Sequence, residues 1–530
     1  MKFIPIYLIF IPIVTAMFVY VLHKRYFNYI IFLSQLMITY FSIKYYMFYN
    51  GFINRHVLVL GGWNEIISIT LRNDQLSISF IFLSIFIWWS VIIYSWEKRK
   101  TDFKFLFFLL FLEGTFLGFI QTNDIFNMFV LIEITTIIST ILIIYKKDGY
   151  SVRAGLYYLL FNSVGMIFYL IGLIFIYVVT GTLNMDIISE KINYLGENSV
   201  VILSYIFIMA AIGVKSAFFP VYNWLPKAHG AAPASISALL SGLLVKSGVY
   251  AFIRFNQVYN INLLYDLFFI LGFITAISGI IFALSQKDIK QILAFHTISQ
   301  IGIILMGISS MSGKAYMGGI MHIFNHSMFK SLLFMGAGYI INVYGTRRVT
   351  EIRGVFKNMP LVSIFMIIGM LSITGAPFFN GFVSKTVIKY GLKPNTIKTI
   401  MLYIINLGTS ISFIKMSQIF FGEFKVQKIR SYNNEVAMLI LSMMCIILGN
   451  FYIPLTKGFF GVDFSFVKVV SLMNWLNYII ALGIGYLIYK WIIEKDYNIM
   501  KKIRHLNISF GTTNFMLVVF IFIMIIWSYV

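Results

Sequence analysis

The chain reads Gly213-Val-Lys215-Ser-Ala-Phe-Phe-Pro220-Val-Tyr-Asn-Trp224-Leu-Pro226-Lys-Ala-His229-Gly-Ala-Ala-Pro233 between two apolar runs. Its three prolines fall within fourteen residues, and a proline inside a helix removes a backbone hydrogen bond and clashes with the preceding turn. At membrane depth, the backbone groups freed in this way must face a cavity or be satisfied by other parts of the protein. The stretch therefore predicts a broken transmembrane helix.

The composition predicts a membrane protein. Of the 530 residues, 60% are apolar and 11% are charged, against roughly 25% charged residues in soluble domains, and the mean hydropathy is +0.87. These values exclude a soluble domain, a disordered chain and a disulfide-stapled secreted domain. The single cysteine, Cys445, excludes a disulfide framework, an iron–sulfur site and a cysteine-based zinc site. Without a phosphate loop or a glycine-rich dinucleotide fingerprint, no cofactor and no catalytic chemistry of its own are predicted.

Apolar runs of about 20 residues are long enough to cross the hydrocarbon of a bilayer. The chain has sixteen of them, and the run at 361–390 is predicted to be one broken helix around Pro377. The fold class predicted is an all-α polytopic membrane protein with 14–16 transmembrane helices. The runs are 3–22, 28–49, 76–95, 104–121, 124–145, 155–179, 200–219, 234–253, 262–284, 291–310, 314–341, 361–390, 397–421, 434–453, 471–490 and 512–529.

A second proline-containing break is predicted at Thr374-Gly-Ala-Pro377-Phe-Phe-Asn380-Gly-Phe-Val-Ser-Lys385. Pro220 and Pro377 lie five predicted helices apart, and an odd separation means opposite orientation, as in transporters built from inverted repeats with broken helices. We therefore predict helices 1–3 at 1–100, a first repeat of helices 4–8 at 101–255, a second repeat of helices 9–13 at 260–425, and helices 14–16 at 430–530.

The net charge of +22 follows from 41 lysines and arginines against 19 acidic residues. If the helices alternate, loops after odd-numbered helices carry 24 of the basic residues, whereas the amino terminus and the other loops carry 11. The positive-inside rule then predicts cytoplasmic odd loops and both termini outside the cell membrane. Basic loops of this kind attract anionic lipid, and nucleic acid is excluded as a partner. Six lysines remain inside the predicted helices: Lys44, Lys215, Lys246, Lys330, Lys385 and Lys415.

Three titratable residues, His322, His326 and Lys330, follow one another at four-residue steps, so they share one helix stripe that spans roughly 12 Å. A lysine near a helix end can extend to the interface, but Lys246 and Lys330 have long apolar flanks, where a charge costs roughly 2.5–3.5 kcal/mol. The ladder fits a proton relay, since imidazole accepts and releases protons near neutral pH. Two alternatives stay open: hydrogen bonds between helices, and a metal pair that lacks an evident third ligand.

Glu133 lies in the segment Asp124-Ile-Phe-Asn-Met-Phe-Val-Leu-Ile-Glu133, in the second helix of the first predicted repeat, and His296 occupies the matching helix of the second. A buried carboxylate favours a cationic partner. Within the predicted first repeat, Lys215 is the nearest candidate. Breaking such a pair would let Lys215 release its proton, which makes the pair a candidate switch. The alternative is a static buried ion pair.

At these residues the chain resembles the antiporter-like subunits of complex I, of Mrp-type cation/proton antiporters and of membrane-bound hydrogenases. The resemblance covers about residues 100–425 and rests on six ordered motifs: Asp124–Glu133, Lys215–Pro233, Ser237–Tyr250, Asp288–His296, the His322/His326/Lys330 ladder and Gly375–Lys385. It implies two inverted five-helix repeats with broken helices 7 and 12. It also implies a Glu133–Lys215 pair, a central relay of Lys246, His296 and Lys330, and Lys385 at the exit.

The resemblance further implies other membrane subunits of one complex as partners. We predict a subunit that translocates H+, alone or with Na+, in a redox-driven pump such as a membrane-bound hydrogenase or a complex I relative. The alternative is a subunit of an Mrp-type Na+/H+ antiporter without redox chemistry; a passive scaffold fits the charged residues least. His296 resembles the pattern of the Mrp-type D subunits, whereas the tail resembles longer hydrogenase subunits. Asp124, His229 and Glu113 are further candidates, and Glu113 is expected to pair with Lys246 or Lys215.

Overall fold

A computed structural model describes residues 2–22, 27–49, 55–96, 102–196, 198–423, 430–469 and 471–529. Nearly all of these residues are helical, and the all-α fold class is confirmed. The N-terminal part contains α1 (Ile4–Leu22), α2 (Phe27–Phe48), an antiparallel pair of strands, β1 (His56–Val59) and β2 (Thr70–Asn73), and α3 (Gln75–Tyr94).

The first half of the core follows, and a π-helical turn at Leu240–Leu244 joins its last two helices. Its helices are α4 (Phe103–Gln121), α5 (Ile125–Ile144), α6 (Gly149–Thr180), α7 (Met185–Leu195), α8 (Ser199–Ser216), α9 (Trp224–Ala231), α10 (Ala234–Leu239) and α11 (Val245–Tyr259).

The second half of the core has a similar order of long and short helices and ends in a 3₁₀ turn at Gln418–Phe420. Its helices are α12 (Tyr265–Ser285), α13 (Ile289–Ile308), α14 (Gly313–Tyr344), α15 (Val355–Asn358), α16 (Pro360–Thr374), α17 (Asn380–Leu392) and α18 (Thr396–Ser417). The tail contains α19 (Tyr432–Asn450), α20 (Tyr452–Phe460), α21 (Leu472–Ile488) with a π-helical turn at Tyr489–Ile493, α22 (Asn498–Arg504) and α23 (Phe510–Ser528).

Each of the sixteen predicted apolar runs coincides with helical structure. Within the described part of the chain, thirteen helices are long and apolar enough to cross a membrane. The three other predicted runs form α2, α14 and the pair α16–α17. Helix α14 carries His322, His326 and Lys330, whose polarity lowers its hydropathy although its length suffices to span a bilayer.

Both predicted breaks are present. Helix α8 is capped by Ala217, which has a positive φ of 57°, and α16 is capped by Gly375, with a φ of 84°. Pro220 lies between α8 and α9, Pro226 in the first turn of α9, and Pro233 directly before α10. None of the three therefore occupies a helix interior, where its missing N–H would cost a hydrogen bond.

The two halves repeat several features. Helices α5 and α13 begin at the capping residues Asp124 and Asp288, whose side chains accept hydrogen bonds from backbone N–H groups of the first turn. Helices α6 and α14, which follow them, both have 32 residues and end at left-handed glycines, Gly181 and Gly345. A left-handed residue suits glycine because it has no Cβ to clash. The repeat boundaries at 101–255 and 260–425 stay a prediction.

The tail packs against both halves of the core. Helix α21 contacts α18 of the second half, and α23 contacts α8 and α6 of the first. The ring of Phe520 on α23 lies so close to Gly213 that a Cβ there would be 2.7 Å from it. The tail thus reaches the segment of α8 that carries Lys215.

Candidate functional site

The predicted site residues form a set that we call the polar row. Seven of the eight side chains are buried, and Glu133 is half-buried. The row runs through the core helices of both halves. It consists of Glu133 on α5, Lys215 on α8, Lys246 on α11, His296 on α13, His322, His326 and Lys330 on α14, and Lys385 on α17.

Glu133 and Lys215 are neighbours without being a contact pair. The Lys215 ammonium donates to Thr136 Oγ1 at 2.6 Å and lies 3.4 Å from the Tyr158 hydroxyl. Thr136 is three residues after Glu133, so both project from one face of α5. Glu133 Oε2 accepts from Ser163 at 3.4 Å, and its Oε1 is buried with no partner among the described residues. The direct pair expected from the sequence is therefore not formed in this conformation; the ammonium binds the Thr136 hydroxyl instead.

Lys246 lies next to the π-helical turn. Its ammonium donates to the carbonyl of Ser241, inside that turn. A π-helical turn displaces the regular hydrogen-bond pattern and leaves carbonyls available to other donors. The Ser241 hydroxyl in turn contacts Thr297 Oγ1 on α13 at 2.9 Å. The turn therefore gives a buried lysine a neutral partner and connects it to the second half.

Lys330 of α14 binds the backbone of α13 three residues before His296. The Lys330 ammonium donates to the carbonyl of Leu293 at 2.6 Å, whereas the His296 ring packs on Phe413 with 4.9 Å between centroids. Both His296 nitrogens are buried and have no hydrogen-bond partner among the described residues. Counted from the capping aspartates, the equivalent of Glu133 is Thr297, so His296 is one residue, or about 100° of helix rotation, away from the matching position.

The two histidines of α14 have different surroundings. His322 contacts Gln300 Oε1 at 3.0 Å and Ser384 Oγ at 2.9 Å, so it joins α13, α14 and α17. Its Nε2 donates to the carboxamide oxygen, and in a neutral ring its Nδ1 accepts from the serine. His326 is fully buried, its ring centroid lies 6.2 Å from that of His322, and neither nitrogen has a described partner. His322 thus fits the alternative of hydrogen bonds between helices, whereas the proton relay stays a prediction for His326.

Lys385 lies at the second break. Its ammonium donates to the carbonyl of Ile373 at 2.7 Å, at the C-terminal end of α16. A crevice of about 160 Å³ reaches it, with polar side chains from α18 and α21. Across this crevice, the Tyr478 hydroxyl contacts Thr374 Oγ1 at 2.8 Å. A broken helix beside a polar crevice satisfies the rule that irregular backbone at membrane depth faces a cavity or protein.

The three further candidates have structural partners or neighbours. Glu113 accepts from Gln35 Nε2 of α2 at 2.6 Å and forms no ion pair with Lys246 or Lys215 in the described residues. That expectation is wrong because the Glu113 carboxylate faces α2 and binds Gln35. Asp124 caps α5. His229 stacks on Phe334, with ring centroids 4.5 Å apart, which places it beside Lys330.

Two buried cations were not predicted from the sequence. Lys290, counted among the loop residues, is 4% exposed and donates to the carbonyl of Ala232 at 2.8 Å. Arg254, at the end of a predicted helix, binds both carboxylate oxygens of Asp74 at 2.6 and 2.7 Å. The capping pattern at Asp288 could have assigned Lys290 to the helix, because a residue two positions after an N-cap is already helical.

Comparisons with known proteins show the family of the chain. A family profile described as NADH:quinone oxidoreductase/Mrp antiporter, TM, matches residues 122–412. The D subunit of the Na(+)/H(+) antiporter of Alkalihalophilus pseudofirmus is 32% identical over 411 residues, which cover 74% of this chain and 82% of that protein. Its counterpart in Bacillus subtilis is 33% identical over 347 residues, covering 63% and 69%.

Solved structures have the same fold. A chain of the membrane-bound sulfane sulfur reductase, an archaeal respiratory membrane complex, superposes with a TM-score of 0.80 at 26% identity, covering 90% of this chain and 99% of that one. A chain of the Mrp complex from Dietzia sp. gives 0.79 at 20% identity, covering 95% and 99%. A chain of respiratory complex I from Thermus thermophilus gives 0.76 at 19%, covering 91% and 99%. These relatives are subunits of multi-subunit membrane complexes.

Proposed function

Because the chain belongs to the NADH:quinone oxidoreductase/Mrp antiporter family, whose profile matches more than half of it, we propose that it translocates H+, alone or in exchange for Na+. It is an antiporter-like membrane subunit, and its proposed partners are other membrane subunits of one complex. The observation that carries the proposal is the polar row: buried lysines and histidines from α8 to α17, with a polar crevice at Lys385. Buried ionisable groups at membrane depth are costly and mark ion pathways.

The contact between Lys215 and Thr136 suggests how the first half works. Thr136 and Glu133 are one helical turn apart on α5, so a rotamer change can move the ammonium from the hydroxyl to the carboxylate. Beside Glu133 the lysine holds its proton more firmly than beside a neutral hydroxyl. Movement between the two partners would therefore time the release of a proton toward Lys246 and the second half.

Two energy sources for ion translocation, a redox reaction and an ion gradient, are compatible with this role. The likeness to the membrane-bound sulfane sulfur reductase, at 26% identity over 90% of the chain, supports a subunit of a redox-driven pump. The identity of 32% to the D subunit of an Na(+)/H(+) antiporter supports a secondary antiporter. We propose the redox-driven role first, since the reductase chain superposes at 26% identity and the Mrp complex chain at 20%.

The proposed orientation follows the basic loops. Segments after α5, α12, α14 and α21 lie at the same end of the helices, where Arg347 pairs with Asp288 and Lys287 with Asp496. The positive-inside rule assigns this end to the cytoplasm and both termini to the outer face of the cell membrane.

The test uses the intact complex in vesicles, with one dye for pH and one for sodium. We expect Lys215→Ala and Glu133→Ala to abolish coupled ion movement while assembly survives, and Glu190→Ala, on the exposed face of α7, to leave it unchanged. Normal pumping by either row variant contradicts the proposal. Ion movement that needs an electron donor identifies a redox-driven pump; proton movement driven by a sodium gradient alone identifies the antiporter.

A further inference from the structure

A cavity of about 720 Å³ opens at the end of the helices that carries the basic loops. Four separate segments line it: the first break after α8, the junction of α12 and α13, the loop after α14, and the tail around α22. No residue of the polar row lines it. The cavity is therefore a separate feature of the described structure that ion translocation does not explain.

The cavity walls carry more positive than negative charge. Five lysines and arginines line it against one carboxylate, that of Asp288. Arg347 pairs with Asp288 at 2.7 Å, and Arg348 with Glu351 at 3.0 Å. Asp496 is shared by Lys287 and Arg504. The five basic residues are Lys227, Lys287, Arg347, Arg348 and Arg504.

Lys227 is the clearest source of the excess charge. Its ammonium lies 3.7 Å from the centroid of the Tyr157 ring and 3.4 Å from the carbonyl of Ile508, and no carboxylate pairs with it among the described residues. A ring face and one carbonyl leave an ammonium with donors to spare, since it has three. A ligand with anionic oxygens would complete its coordination.

Beside polar side chains such as Asn223, Gln286 and Asn507, the cavity has an apolar wall. Phe282 and Phe295 stack with 5.1 Å between centroids, and Leu506 and Ile508 line the tail side. A small soluble anion would use the charges and leave these side chains in water. A ligand with a charged head and a hydrocarbon body would use both, and the bilayer supplies such molecules at this depth.

We propose that this cavity binds the headgroup of an anionic phospholipid, with the phosphate near Lys227 and Arg348 and an acyl chain along Phe282 and Phe295. The lipid would join the tail to the first break. Arg504 donates to the carbonyl of Ser285 at 2.6 Å and thereby holds the end of α22 on α12, which fixes the tail side of the cavity.

The test measures lipid retention by the intact complex in nanodiscs of phosphatidylcholine with a minor fraction of phosphatidylglycerol. After detergent extraction and washing, we expect phosphatidylglycerol to remain on the wild type and to fall at least about fivefold in a K227Q/R348Q variant, since each basic residue contributes about 1 kcal/mol to the binding of anionic lipid. The control is K501Q/K502Q, which removes two exposed charges from α22 at the same end of the protein. It should retain the lipid like the wild type.

Equal retention in all three proteins, or equal loss in both variants, overturns the proposal, because surface charge alone would then explain binding. Arg348 is 71% exposed, so the single variant R348E tests the same site without disturbing packing and should also lose lipid. Inorganic phosphate is the competing ligand: if it releases the lipid and binds equally well by itself, the site takes free phosphate and the lipid assignment is wrong. Ion transport is not the readout, so this result is independent of the proposed function.

Discussion

The hydroxyl of Thr136 offers the sharpest test of the polar row. Thr136→Val keeps the shape of the side chain and removes the oxygen that accepts from Lys215 at 2.6 Å. A hydrogen bond to a charged group contributes about 1.5–3 kcal/mol, and about 1.4 kcal/mol is a factor of ten. Because the Tyr158 hydroxyl at 3.4 Å remains as a weaker partner, we expect the lower end, roughly a tenfold shift of the ammonium toward Glu133.

The assay is the rate of coupled ion movement in vesicles that contain the intact complex. If each cycle needs Lys215 to return from Glu133 to Thr136, the rate should fall by the same factor, about tenfold. Thr135→Val is the matched control: Thr135 is also buried and also donates to the carbonyl of Ile132, but it makes no contact with Lys215. Equal rates for the two variants would refute the role of Thr136.

Three further outcomes are expected. Lys385→Ala should stop ion release while assembly persists, because it removes the charge facing the crevice; vesicle transport and gel filtration measure the two effects, and normal transport would contradict the exit role. Gly302→Leu should prevent stable assembly, since a Cβ there lies 2.4 Å from the carbonyl oxygen of Gly272, whereas Gly313→Ala meets no atom within 4 Å and should assemble normally. Hydrogen bonding to Arg504 lowers the pKa of Asp496 to about 2. The contribution of Asp496 to tail docking is therefore present above the ordinary pKa of an aspartate and is lost as the pH falls from about 4 to 2. Asp496→Asn should increase proteolysis of the tail at neutral pH, and a persistent difference from wild type at pH 2 would contradict this.

Much of the fold could be read from the sequence because two signals dominate in a membrane. Runs of about 20 apolar residues have few alternatives to a spanning helix, and all sixteen predicted runs are helical. The proline stretch at Pro220 and its partner at Pro377 located both breaks, since proline acts on the backbone regardless of tertiary context. Short elements without such a signal, such as β1, β2 and α22, were not predicted.

Seven of the eight predicted site residues are buried in the structure, but several of their contacts could not be predicted from the sequence. Periodicity identified His322, His326 and Lys330 as one stripe, but it could not tell that His322 would join three helices through Gln300 and Ser384. The partner of Glu113 is Gln35, 78 residues away. Such pairs depend on how helices pack, and a single sequence carries no record of that.

The contact between α23 and α8 has a consequence for how the first break is sealed from lipid. Gly213 leaves a hollow on α8, two residues before Lys215, and the ring of Phe520 fills it. Without that ring, an acyl chain could reach the backbone beside a buried ammonium. Helix α23 therefore covers the side of α8 next to the buried Lys215 with a side chain of the same polypeptide, so this hollow needs no contact from a separate chain.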